Sequence, residues 1–565
     1  MVDFENVKKG GVKMKMKTKT KMPHFFISAT IFLGVSLYFY PLSFSFPKVF
    51  AQQEDEEQEE QQQEQEEQEE EVEVEQQPQQ GYETETEEFF EEAEEEKPKL
   101  FKASGYLRTR GFILSSPNLI DGSLSYIQSR FRIEPEITPS PDISIKSQID
   151  LLDDVVWGVS SIPMDGKEEW VPQFSNLPSF YGFTPGEKPC SVFADGYNVI
   201  RCKSTGTSRM IGVKRVWGEI TLFFGKFFIG RMPSHFGMGI FENDGNGFKN
   251  EWGDAHFGDT RDRIMFATKP LGMDHPFIIA IGFDKVAENA LLGQSDVNQW
   301  FIAPLWKDEE KGLETGAFLA ARFDSNTSTE IFALDPYLGY KKRNFQTETE
   351  ITGIFGRTKA LTLVQNLGIE KVSISAVNVA QKLNYRFDPF EAGIDIGYSS
   401  GEKKGLKDGV INSVPFDPDF NVGLILYEEV MARWSAELAS SENTVIQGAQ
   451  SDLFATRGGV ANSLYFMPAF RFVPLENLKS YLGVLFAFSP DTKAFLDPLN
   501  PTEKNFRNGK AGNIYGIEID WGAKIGGENF DFETQLGGFF PGDAFTMPQK
   551  PKNIFKALFK FNYKY

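Results

Sequence analysis

From Gly105 onward the chain alternates in twos. In the segment 125–138, Tyr126, Gln128, Arg130, Arg132, Glu134 and Glu136 fall on one side, while Ile127, Ser129, Phe131, Ile133, Pro135 and Ile137 fall on the other. Successive side chains of a strand point to opposite faces, so the charged set and the apolar set belong to different environments. The next segment repeats the pattern, with Ile143, Ile145, Ser147, Ile149 and Leu151 opposed to Ser144, Lys146, Gln148, Asp150 and Leu152. The last strand repeats it most sharply. Phe555, Ala557, Phe559, Phe561, Tyr563 and Tyr565 share one face, and Lys556, Lys560, Asn562 and Lys564 the other. With no sequence after Tyr565 to cover such an aromatic face, an open sheet in water would invite aggregation, whereas a closed barrel in lipid pairs every backbone group and gives the face to acyl chains.

Reading for the same period predicts strands over 105–114, 125–138, 142–154, 208–223, 226–231, 263–268, 276–284, 314–323, 328–340, 348–357, 361–367, 372–386, 391–399, 463–472, 480–489, 513–525, 529–539 and 554–565. The expectation is an all-β, transmembrane antiparallel β-barrel of about 18 strands (16–18). Short turns such as Pro139-Ser140-Pro141 alternate with long gaps such as 155–207 and 400–462, the inequality of loops that such barrels show.

Composition divides the chain into three parts. Residues 1–51 hold seven lysines from Lys8 to Lys21, an apolar run from His24 to Tyr40, Pro41 and the exit Val49-Phe50-Ala51, which reads as a secretory signal peptide cleaved after Ala51; an uncleaved anchor helix is the alternative. Residues 52–100 carry 23 acidic side chains against two lysines and read as a disordered acidic Glu/Gln-rich tail in the periplasm, a flexible spacer or a dock for a basic partner or cations. These two parts absorb most of the net charge of −22, leaving −7 for 101–565. No basic face of a nucleic-acid binder is present. The mean hydropathy of −0.32 is no obstacle to a barrel, which shows lipid every second residue only.

Arginine on the lipid side at the bilayer midplane costs about 2–4 kcal/mol, so Arg108, Arg110, Arg130, Arg132, Arg215 and Arg231 are expected to line the pore. There they either form a neutralising ladder with the acids or bias the channel toward anions. The run from Gly230 to Arg263 is dense in glycine and acids. It is expected to fold inward as a constriction, to hold calcium through Asp244, Asn246 and Asp254, or to be an ordinary surface loop; the full calcium-loop spacing is missing. Cys190 and Cys202, the only cysteines, are expected to form one disulfide that stiffens the segment 155–207.

Gly230-Arg231-Met232-Pro233, followed by Asn243-Asp244-Gly245-Asn246-Gly247 and Gly258-Asp259-Thr260-Arg261-Asp262-Arg263, resembles a group of Gram-negative outer-membrane barrels. Gly516-Ile517-Glu518-Ile519-Asp520 and Gly538-Phe539-Phe540-Pro541-Gly542-Asp543-Ala544-Phe545 are similar to the closing strands of alginate-export-type porins. The resemblance implies an eighteen-stranded monomeric pore in the outer membrane, inserted by the barrel-assembly machinery, which reads a terminal aromatic such as Tyr565 with Tyr563 and Phe561 nearby. The resemblance fixes no substrate; the arginines named above would suit a hydrophilic, anionic solute such as an anionic oligosaccharide, and no cofactor is expected.

Catalysis finds little support, since Ser234 and His235 are sequence neighbours that point apart on a strand and no Gly-x-Ser-x-Gly elbow exists. A secreted or surface-exposed β-rich binding or adhesion protein without a pore is the competing reading.

Overall fold

The computed structural model describes residues 100–117, 119, 122–157, 212–247, 250–255, 258–288, 296–325, 327–359, 371–401, 409–432, 456–491, 512–545 and 550–565. Alternation of outward apolar and inward polar residues builds long strands: β1 (Phe101–Ser115), β2 (Ser123–Ser140), β3 (Ile143–Val156), β4 (Gly212–Leu222), β5 (Gly225–Pro233), β6 (Thr260–Thr268), β7 (Phe277–Glu288), β8 (Asp296–Asp308), β9 (Leu313–Asp324), β10 (Thr329–Lys342), β11 (Phe345–Thr358), β12 (Val372–Phe387) and β13 (Phe390–Ser399). After the two-residue β14 (Val410–Ile411) come β15 (Ser463–Leu475), β16 (Leu478–Phe488), β17 (Ile514–Gly526), β18 (Phe530–Pro541) and β19 (Ile554–Lys564).

Eighteen of these pair antiparallel with their chain neighbours, β13 passing directly to β15, and β19 returns to β1 along Tyr106–Lys564 to Leu114–Lys556. The ring is closed, so none of the eighteen is left with an open edge. The short β14 lies outside the ring's order, parallel to the start of β12.

Inside and outside follow the predicted periodicity. On β19, Phe555, Phe559, Phe561 and Tyr563 are exposed on the outer wall, whereas Lys556, Leu558 and Lys560 are buried within. Connections at one end are short, as at Asp142, Phe223–Phe224, Arg343–Asn344 and Asp388–Pro389. Most of those at the other end are longer, although β9 and β10 are joined there by the four residues 325–328.

Apart from the two-residue β14, which was not predicted, the predicted strands and the observed ones coincide except at two places. The segment 361–367 lies outside the described residues, as do the disulfide pair Cys190 and Cys202, the signal segment and the acidic tail. Strand β8 went unpredicted because Trp300-Phe301-Ile302-Ala303-Pro304-Leu305-Trp306 is apolar on both faces. Trp300 is exposed on the outer wall while Phe301, Ala303 and Leu305 point inward into an apolar cluster. That cluster fills part of the barrel. Ala267, Ala280 and Ala303 are direct neighbours across β6, β7 and β8, and Ala320 and Ala333 across β9 and β10. Methyl groups here leave room for chain entering the lumen.

Candidate functional site: the lumen and its constriction

Two connections at the long-loop end turn inward. The first, residues 234–259, joins β5 to β6; the second runs from β14 to β15, with 412–432 and 456–462 described. Each brings backbone amides that must find acceptors away from water. Glu350 of β11 accepts from the amides of Met238, Gly239 (3.0 Å) and Ile240 (3.2 Å). Glu518 of β17 accepts from Leu424 (2.5 Å), Ile425 (2.8 Å) and Leu426 (2.7 Å), where a short π-helix, Leu426–Met431, begins. The same device thus latches each loop: one buried carboxylate beneath three consecutive N–H groups.

Apolar contacts complete the seating. Phe236 and Phe241 pack on Phe318, Trp252 lies 4.8 Å from the Tyr481 ring, and Tyr427 lies against Tyr465. The loops also bond each other. Asn250 donates to the Asp419 carbonyl (2.6 Å), Asn421 to that of Asp254 (3.1 Å), and the amide of Asp417 to Ile240 (2.8 Å). Together they make a constriction across the barrel, which is the inward-folding alternative for the glycine-rich segment.

Five of the six expected pore arginines lie on the inner side, namely Arg108, Arg110, Arg130, Arg132 and Arg215, all buried. Arg108 and Arg130 stand directly opposite on β1 and β2, an arrangement that costs energy unless an anion compensates. Asp254 of the first loop supplies one, at 2.8 Å from Arg108 and 2.9 Å from Arg110. Arg132 holds Asp150 through two bonds of 2.6 and 2.9 Å. Arg215 donates to the carbonyls of Asp244 (2.7 Å) and Asp259 (2.9 Å), and a bulge opposite Gln148 and Ile149 turns Lys214 inward beside it.

Arg231 does not line the lumen. It shares a face of β5 with Phe227 and Ile229 on the outer wall and forms an ion pair there with Asp262 at 2.6 Å. Near a strand's end a lipid-side arginine approaches the headgroups, where its cost falls to about 0–1 kcal/mol; the midplane argument that placed it inside therefore does not apply.

The expected calcium donors are engaged otherwise. Asp254 holds two arginines, and Asn246 donates to Asp244 at 2.7 Å. Among the described residues no group of three or more His, Cys, Asp or Glu is placed to hold a metal ion. His235 stands 3.6 Å from Asp244, and Ser234 bonds Glu242 instead of His235. Burial alone would raise the Glu242 carboxyl, yet Arg261 and Arg263 outweigh it and hold the group down at about 2. Tyr565 donates its hydroxyl to the Arg132 carbonyl (2.9 Å), closing the seam beside β1, while Tyr563 and Phe561 face outward.

Gly258 shows how tightly the first loop is clamped. At φ +67° its position already disfavours a side chain, and a Cβ there would lie 2.2 Å from the Asp244 carbonyl and 2.9 Å from Arg215 Nη2. We expect Gly258→Val to dislodge the Arg215 clamp and lower the thermal unfolding temperature of the detergent-solubilised protein by several degrees, read by circular dichroism.

Sequence reasoning missed Glu350, Glu518 and the second loop. A signal was available in Phe420-Asn421-Val422-Gly423-Leu424-Ile425-Leu426-Tyr427, an apolar run outside every period-two segment that had to be buried somewhere.

The chain matches no protein-family model, and no curated protein is significantly similar to it. Solved structures of similar shape include three proteins of Pseudomonas aeruginosa. OccK9 (OpdG) has a TM-score of 0.46 at 9% identity, covering 82% of this chain and 98% of its own. OccK8 (OprE) has 0.44 at 10%, with 82% and 98% covered, and OccK2 (OpdF), solved in complex with glucuronate, 0.41 at 10%, with 82% and 97% covered. The barrel assignment rests on this chain's own strand pairing.

Proposed function

We propose that the chain is an outer-membrane channel through which small hydrophilic, anionic solutes pass by a route narrowed at the two inward loops. The observation that carries this reading is the lumen's charge division. Lys556, Lys560, Arg108, Arg110, Arg130, Arg132, Lys214 and Arg215 outnumber Asp150 and Glu219 on the inner side of β19 and β1–β4, whereas the inner side of β10 and β11 carries Asp335 and Glu350. Strands β1 and β10 are half a circumference apart in a ring of eighteen. A field therefore crosses the lumen at its narrowest level, and an anion entering is drawn along the basic side.

Location supports the same reading. A closed ring whose outer face is Phe, Ile, Leu and Trp needs hydrocarbon around it, and the terminal aromatics Phe561, Tyr563 and Tyr565 suit recognition by a barrel-assembly machinery in a Gram-negative envelope. The short-turn end then faces the periplasm, where the acidic tail would project, and the protein acts as a monomer. An anionic oligosaccharide is a finer version, supported by the guanidinium groups, which favour carboxylates.

In planar bilayers with a salt gradient, we expect a reversal potential of anion-preferring sign, shifted toward zero in the double variant Arg130→Gln/Arg132→Gln. Identical potentials in both proteins would remove the basic wall from the conduction path. Release by salt washing without detergent, or gel migration unaltered by boiling, would favour the secreted adhesion protein.

A further inference from the structure

At the short-turn end, six of the connections between strands present a charged side chain to water, namely Asp142, Glu310, Arg343, Asp388, Glu476 and Glu528. Two adjacent turns differ. Between β4 and β5 stand only Phe223 and Phe224, and Phe223 is 93% exposed. Between β6 and β7, Lys269 and Asp274 balance each other at the shoulders while Leu271 and Met273 are exposed at the crest. Large apolar side chains grouped on a surface mark a contact. All four lie beyond the ends of their strands, so a membrane that covered the strands alone would leave them in water.

We propose that these two turns dip into the periplasmic leaflet and bind its lipid, anchoring the β4–β7 flank of the barrel deeper than its neighbours. Two observations favour lipid over a protein partner. The first is continuity with the lipid-facing wall. Phe227, exposed there with Ile229 and Ile264, lies 4.6 Å from the Phe266 ring, which lies 5.7 Å from Phe224, which in turn lies 4.8 Å from Phe223 at the tip. The second is that the turns satisfy polar groups of their own backbone, as a segment entering a membrane must. The Thr268 hydroxyl donates to the Phe224 carbonyl (2.5 Å), and the Lys269 ammonium to that of Met273 (2.8 Å). The amides of Gly272 and His275 donate to the carbonyls of Lys269 (3.2 Å) and Gly272 (3.1 Å), and the Phe277 amide to His275 Nδ1 (3.2 Å). The long stem of Lys269 also lets its charge stay at headgroup level while its neighbours go deeper. Asp142 in the turn before and Glu309, Glu310 and Lys311 in the turn after keep the adjoining rim in water, so the anchor is confined to one flank.

The inference rests on the membrane reading above, and a control on the mid-wall separates the two. The photo-reactive residue p-benzoylphenylalanine replaces Phe223, Leu271, Glu528 or Leu536, one at a time, in the full chain; Leu536 is exposed in the middle of β18. Each protein is reconstituted in vesicles of phosphatidylethanolamine and phosphatidylglycerol and irradiated, and its lipid adducts are measured by mass spectrometry, with heat-modified gel migration reporting that the barrel is folded. We expect adducts from the Phe223 and Leu271 positions at least about tenfold above those from Glu528, and comparable with those from Leu536. Adducts from Leu536 but from neither turn would overturn this inference and leave the membrane reading standing, whereas none from any position would remove both. Irradiation in intact cells tests the occupant: a cross-link from Phe223 or Leu271 to a periplasmic protein or to a second copy of this chain, in place of lipid, would equally overturn the proposal.

Discussion

The double variant Glu350→Ala/Glu518→Ala conducts more current per channel than the parent while keeping the barrel's detergent stability. Each carboxylate is the acceptor for three consecutive loop amides, and removing it strands buried donors at about 1–3 kcal/mol apiece. A loop so disfavoured leaves its seat, since the long-loop end offers water as an alternative acceptor. The strands' own ladders are untouched, and for this reason the effect separates from unfolding. Single-channel recordings decide it: conductance unchanged in the double variant, with the protein still migrating as a folded barrel before boiling, would show that the latches do not set the aperture. The single variants are expected to give intermediate values, because each loop also leans on the other through Asn250, Asp419 and Asn421.

Acid is the second route to the same opening. Glu251 of the first loop meets Arg471 Nε at 2.7 Å and Lys479 Nζ at 2.7 Å. Burial by itself would raise this carboxyl, but the Lys479 ammonium and the Arg471 guanidinium prevail and hold it at about 2, against 4.5 for the free group. A folded-state value below the free one means stabilisation that is complete above about pH 4.5 and disappears as pH falls through 2. The difference corresponds to about 3 kcal/mol. The loop's seat on β15 and β16 is therefore retained at pH 5 and progressively lost toward pH 2. At the alkaline side Glu428, in the π-helical turn of the second loop, is pushed up to about 8 by burial, with Lys556 opposing the rise and Glu429, Asp419 and Asp254 adding to it. Its sign is opposite: the contribution is whole below the free value and is lost as pH climbs through 8. Conductance measured across pH 2–9 should thus be lowest in the middle and rise at both extremes. Glu251→Gln should shrink the acid limb and leave the alkaline limb as it is, the rest of the acid limb belonging to Glu242 of the same loop, and a flat profile in the parent would discard both assignments.

Much of the fold is legible in the sequence because a membrane barrel writes its environment into alternate residues. Strands β2 and β19 show this best, with lysine, arginine and glutamate on one parity and phenylalanine and isoleucine on the other. Legibility fails wherever a second layer covers the inner wall. Strand β8 lost its polar parity because Phe301, Ala303 and Leu305 face the first loop and its neighbours, so periodicity had nothing to report. The basic wall was foreseeable from cost alone for Arg130 and Arg132, which sit mid-strand. Arg231 sits near a strand's end, where the same cost is small and sequence parity could not decide which face it takes. The latches were hidden for another reason: what Glu350 and Glu518 bind is backbone, and backbone amides leave no trace in the identity of Met238 or Leu424.

The seam between the first and last strands has a consequence for biogenesis. Leu114 faces Lys556, and the pairing joins positions separated by most of the polypeptide. Contacts so remote form late and slowly, so sixteen intervening strands must be held in register before either terminus finds its mate. Until then both margins are sticky templates, and a nascent chain left unattended at that stage would zip onto its siblings before it could zip onto itself.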